Sequence, residues 1–226
     1  MRRILLVLFG LLGAGNALAQ VSGQISVASD NVFRGVSISD NRPSAAAEIN
    51  YDGSAGWFVG GQVAQTQFYG EGHANPEIVV DAGYAHEMSS GLSWEAGATY
   101  STFPNFTFWN YAEAFVGVLS ENWNARLSWS PNYFGRHQRT AYAEFNYSRP
   151  LGERLRLLAH VGAVRGDSAQ NTGNSRAFDA SLGLGARVSN VNIQMNWIAT
   201  NRSSFLYPVA PGGDRQEWVL SLAYTF

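Results

Sequence analysis

The sequence predicts an all-β fold: a closed antiparallel transmembrane β-barrel of about twelve strands, preceded by a cleaved signal peptide. Three observations carry that prediction. Apolar residues recur at every second position in segment after segment. The residues between them include a charge near the middle of nearly every segment. The connections alternate between short turns and longer, more polar loops.

The first element is the leader. "MRRILLVLFGLLGAGNALAQ" has Arg2 and Arg3, an apolar run from Ile4 to Leu12, and Ala17-Leu18-Ala19 as a small-residue cleavage pattern. The run is too short to span a bilayer as a helix. Residues 1–19 are therefore expected to be removed, and 20–226 to form one domain. The chain has no cysteine, so an exported fold must hold without disulfides. A net charge of −2 and only 14% charged residues give no basic surface for nucleic acid. Aromatics at 13% and 24 glycines suit a β-rich chain.

The strands are expected to begin near Val21, Ser44, Trp57, Glu77, Leu92, Phe106, Trp123, Thr140, Arg154, Ala177, Val191 and Gln216. Several show the period of two plainly. In "LSWEAGATY", Leu92, Trp94, Ala96, Ala98 and Tyr100 oppose Ser93, Glu95, Gly97 and Thr99. "WNARLSW" sets Trp123, Ala125, Leu127 and Trp129 against Asn124, Arg126 and Ser128. "AYAEFNY" and "VNIQMNW" repeat the pattern, and "WVLSLAYTF" ends the chain with it. A slip of one residue would invert every face, so the pattern fixes register. Short turns are expected at Asp52, Met88, Ser120, Arg149 and Val188. Long loops are expected after Phe33, Gln67, Ser130, Val164 and Thr200. Phe103 to Phe106 is read as a short connection where a long one is due. Short turns at one end and long loops at the other are typical of outer-membrane barrels.

Alternation alone also fits a soluble barrel, and the charges decide between them. Asp30, Glu48, Asp81, Glu95, Glu113, Arg126, Glu144, Arg156, Asp179 and Arg187 fall on the minority face. A dry interior holding so many charges would cost several kcal/mol for each. That face must be wet. The apolar face carries aromatics towards strand ends, among them Trp57, Tyr100, Trp129 and Trp218, as interfacial girdles do. It also carries many alanines, including Ala45, Ala47, Ala141 and Ala143. A soluble core would want bulk there, whereas lipid chains fill such gaps themselves. The predicted location is the bacterial outer membrane.

The last strand, with Trp218, Leu220, Leu222, Tyr224 and terminal Phe226 on one face, reads as the signal recognised by the barrel-assembly machinery.

The segment "SDNVFRGVSISDNRPSAAAEINYD", followed by "GWFVGGQV", resembles the opening signature of the TorF family, porin-like proteobacterial proteins of unknown function. Ser29, Asp30, Phe33, Arg34, Gly35, Ser37, Ser39, Asp40 and Pro43 match it. "EIVVDAGYAHEMSSGLSWEAGATYSTFP" and "NYAEAFVGV" are similar to the family's middle section. The resemblance implies an outer-membrane pore and supplies no catalytic residues.

The functional candidates are the residues facing the lumen: the ten above together with Arg34. They imply a mildly cation-preferring passage for ions or small solutes. The opposing reading is that acids and arginines pair across the lumen and close it. Twelve strands tilted ~40° give a backbone radius of ~12 Å. Trp109, Tyr111, Phe115 and Tyr142 would point inward and fill much of it. The first loop, "RGVSISDNRPS", reads as a surface turn; folding inward so that Arg34 and Asp40 reach lumen charges is the alternative. The loop after Thr200 carries Phe205, Leu206, Tyr207 and Val209, which would cover the mouth or bind an outer partner such as lipopolysaccharide. The histidines, His73, His86, His137 and His160, have no serine and asparagine or aspartate at motif spacing, so a catalytic site is not expected. Glu71, His73 and Glu77 in "EGHANPE" are read as a solvated loop rather than a cation site; no metal or other cofactor is expected. Expected partners are membrane lipid, the assembly machinery and small solutes. The runner-up is a sealed barrel whose loops bind a ligand; an outer-membrane hydrolase is the remote third.

Overall fold

The computed structural model describes residues 20–70, 72–167, 176–201 and 213–226. The leader and the apolar patch from Phe205 to Val209 lie outside them. The strands are β1 (Gln20–Ala28), β2 (Val32–Phe33), β3 (Val36–Ser37), β4 (Ser44–Asp52), β5 (Trp57–Thr66), β6 (Asn75–Glu87) and β7 (Ser93–Thr102). They continue with β8 (Tyr111–Leu119), β9 (Trp123–Ser130), β10 (Arg139–Pro150), β11 (Leu155–Asp167), β12 (Arg176–Val188), β13 (Val191–Thr200) and β14 (Arg215–Thr225). β2 and β3 form a hairpin of their own. The other twelve close into an antiparallel barrel in which each pairs with the next and β1 joins β4 on one side and β14 on the other.

The alternation in sequence becomes the alternation of faces. Along β8, Tyr111, Glu113, Phe115 and Gly117 are buried, while Ala112, Ala114 and Val116 are exposed. Along β14, Val219, Ser221 and Ala223 face in, and Trp218, Leu220, Leu222 and Tyr224 face out. The outward set includes Trp57 at 65% exposure and Ile49 at 60%. Water would penalise so much exposed apolar surface; hydrocarbon would not.

Closure depends on a close approach. Gly23 and Phe226 exchange both backbone hydrogen bonds, each at 2.9 Å. The Phe226 ring lies over Gly23: a Cβ at position 23 would sit 2.6 Å from two of its ring carbons. Tyr224 stacks beside the ring at 6.3 Å. The last residue thus seals the seam on the outer face.

Eleven of the strand starts agree with the sequence reading to within two residues. The exception is β8, expected near Phe106 and found at Tyr111. Thr107–Trp109 forms a 3-10 turn instead. The connection from Phe103 is therefore not short but runs to Asn110, and the asymmetry of long and short connections is complete. Aromatic density in "NFTFW" imitates a strand; the rings in fact fold over the barrel mouth.

Candidate functional site

The segment after β1 does not lie on the surface as the sequence reading favoured. It folds into the lumen. Arg34 and Gly35 are the two central residues of the β2–β3 turn, with φ of 50° and 74°. Both positive values match the tight turn that right-twisted hairpins prefer. Gly35 is also required by space, since a Cβ there would lie 2.6 Å from the Asp179 Cβ and 2.8 Å from the Thr200 Cβ.

The polar residues of the segment satisfy one another. The Ser37 and Ser39 hydroxyls both donate to Asp30 Oδ1, at 2.7 and 2.6 Å. The backbone N–H groups of Asn31 and Asn41 donate to Ser39 Oγ and Ser37 Oγ. Arg215 donates to Asn41, tying the base of the hairpin to β14. With its polar groups paired internally, the hairpin can bury Val36 and Ile38. The residues resembling the TorF signature are thus those that build this hairpin.

Arg34 crosses the lumen to the far wall. Its guanidinium grips Glu113 on β8 with two parallel bonds, at 3.0 and 2.8 Å, and donates to the Tyr133 hydroxyl at 3.0 Å. It lies 4.2 Å from the centre of the Tyr142 ring. Arg34 is 5% and Glu113 8% exposed. Around them Val36, Ile38, Phe68, Phe103, Tyr111, Tyr133, Phe134, Tyr142, Val164 and Ala177 form one apolar cluster, with Trp109 packed against it. Phe68, Phe103, Tyr133 and Phe134 come from the longer loops, so those loops turn inward as well. Polar spacing in "PNYFGRHQR" hid that; the paired aromatics were the available signal.

Beneath the hairpin lies a cavity of about 240 Å³. It is lined by Asp30, Glu48, Glu77, Glu113, Glu144, Asp179, Arg34, Arg126 and His160, with many hydroxyl and amide groups. Glu77, read from the sequence as part of a solvated loop with Glu71 and His73, lies in β6, faces inward and is 8% exposed. His73 is exposed, Glu71 is outside the described residues, and no group of three metal-ligating side chains occurs among the described residues.

The other sequence candidates are distributed as follows. Glu95 accepts two bonds from Arg126, at 3.0 and 2.6 Å, and Arg126 lies 4.4 Å from the centre of the Phe115 ring. Asp179 meets His160 Nε2 at 2.6 Å and the Tyr142 hydroxyl at 3.1 Å, while His160 Nδ1 faces Asn146 at 2.6 Å. Asp81 is buried and faces in beside Gly60. Glu48 accepts from Asn50, and Asn146 reaches Glu144. Arg156 donates to Ser148 near the short-turn end of the barrel. Arg187 bonds the Ser189 carbonyl at that rim, away from the cavity. Asp40 is half-buried at the hairpin base, outside the residues that line the cavity.

Residues 14–226 match the family described as Gcw_chp, bacterial protein of unknown function. The chain belongs to that family. No curated protein sequence matches it. The Gcw_chp barrel is similar in fold to solved outer-membrane porins. With a KdgM porin it shares a TM-score of 0.56 at 12% identity, over 91% of this chain and 99% of that one. With the NanC porin the TM-score is 0.57 at 6% identity, over 91% and 99%. LpxR from Salmonella typhimurium gives 0.50 at 11%, over 91% and 100%. At these identities the likeness concerns fold alone.

Proposed function

We propose that the Gcw_chp barrel resides in the bacterial outer membrane and passes ions or small solutes by passive diffusion, with the inserted hairpin as its constriction. The observation that carries this is the cavity of about 240 Å³, polar-lined and acid-rich, enclosed by a lipid-facing barrel. Arg34 is matched by Glu113, and Arg126 by Glu95. Glu48, Glu77 and Glu144 remain as lining carboxylates without an arginine partner among the described residues. Their charge favours cations over anions. A KdgM porin has been solved in complex with disordered oligogalacturonate, a polyanion; the lining here disfavours a polyanion. On this reading the TorF-like opening segment is the pore's built-in constriction. The outward row from Trp218 to Phe226 is the signal for the assembly machinery.

One observation favours the runner-up, a sealed barrel. The hairpin meets Glu113, Asp179 and Thr200 on other walls closely enough to leave no space for a Cβ at Gly35. Planar-bilayer recording separates the two. The channel reading expects ionic conductance and a reversal potential of cation-selective sign under a salt gradient. Replacing Glu48, Glu77 and Glu144 by Gln should move that potential towards anion selectivity. Absence of conductance and solute flux would establish the sealed barrel. The hydrolase reading is tested by an esterase assay on the detergent-solubilised protein.

A further inference from the structure

We infer that the outer face of β10–β12, at the extracellular rim, binds a phosphorylated lipid of the outer leaflet. This rests on the membrane-barrel reading but not on conduction. A shallow groove of about 230 Å³ opens there on the face away from the lumen. Register sets out its walls. Leu127, Ala143, Ala163 and Phe178 form one lateral row across four neighbouring strands, since each is the Cα partner of the next. The two alanines make the floor, and Leu127 and Phe178 the sides. One layer nearer the loops, the row is Trp129, Ala141, Arg165 and Arg176.

Two features identify the occupant. The first is hydrocarbon shape: a shallow trough two strands wide, floored by methyl groups and bounded below by Phe145 and Val161, fits the end of an acyl chain next to its headgroup. The second is charge. Arg165 and Arg176 are direct cross-strand partners, both exposed, and neither makes a hydrogen bond or ion pair among the described residues. Like charges placed directly opposite each other destabilise a sheet. An anion between them removes that cost, and two guanidinium forks match phosphate oxygens in paired bonds. One layer higher, Arg139 stands opposite Asp167, a pair of opposite charges that adds no net charge to the site. A free anion would leave the groove unused, and an uncharged lipid would leave the arginines unused; a lipid with a phosphorylated headgroup uses both.

The test uses the full mature protein in detergent, with native mass spectrometry and titration of three probes: diphosphoryl lipid A, its dephosphorylated counterpart and inorganic phosphate. The expected result is retention of diphosphoryl lipid A with at least about tenfold preference over the dephosphorylated form, the scale of one charge-assisted contact. R165Q/R176Q should weaken retention about as much, and A143L/A163L, which fills the trough, should do likewise. Heat-modifiable electrophoresis checks that both variants fold. Equal retention of the two lipids, or wild-type retention by either variant, overturns the proposal. Competition by inorganic phosphate at the lipid's own concentration would assign the arginines to a free anion and also overturn it. Failure of the wild-type protein to insert into liposomes would instead overturn the membrane reading.

Discussion

The two halves of the lumen are built differently. Towards the long-loop end, Val36 and Ile38 of the hairpin pack with six aromatic side chains, and Arg34 is locked to Glu113. Further in, the lining turns to serines, glutamines, asparagines and carboxylates, and a cavity remains. The first region resembles the core of a soluble protein set inside a membrane barrel. The second resembles an aqueous passage. Chain length allows this division. Strands long enough to cross the membrane make a bore that a 15-residue loop (29–43) can fill only in part. A constriction can therefore be added at one level without loss of a wet interior below.

The largest expected effect lies in the upper half. Arg34→Met leaves Glu113 as a buried charge without its partner, which typically costs ~3–5 kcal/mol. A urea midpoint followed by tryptophan fluorescence should fall accordingly, and Arg34→Met with Glu113→Gln together should recover much of the loss. Equal destabilisation by the single and double variants would mean that the pair does not act as a unit. Gly35→Val comes next. The left-handed backbone costs a branched residue about 1–2 kcal/mol, and its Cβ has no room beside Asp179 and Thr200. The hairpin should leave its seat, raising conductance while the circular dichroism of the barrel stays unchanged. The smallest effect belongs to neither half. Val116 faces outward at 51% exposure, and Val116→Ala should cost less than ~1 kcal/mol because lipid chains fill the space. A core-like loss at that position would contradict a lipid-facing wall.

Much of this was legible in the sequence. The period of two fixed register and face, so the outward aromatic girdles and inward charges follow from "WNARLSW" or "AYAEFNY" without a structure. The loops were not legible, for a physical reason. "RGVSISDNRPS" has the serines and acids of a surface turn, and only the fold reveals that Ser37, Ser39 and Asp30 bond each other and leave Val36 and Ile38 free to be buried. The pairing of Glu95 with Arg126 is likewise not legible, because neighbours across three strands are not marked by spacing along the chain. Glu77 sits at the boundary of the polar stretch "EGHANPE", where spacing alone does not separate loop from strand. It is in fact a buried, inward-facing residue near the start of β6, which begins at Asn75.

The central claim is that the hairpin is the main constriction, packed against loop aromatics, of an otherwise water-filled, acid-lined barrel. Its most direct test is single-channel conductance of the reconstituted protein with and without residues 32–38, replaced by a short Gly-Ser linker. The account predicts a clear rise in conductance with cation selectivity retained. Conductance that stays the same after the hairpin is removed, or stays at zero, would contradict it.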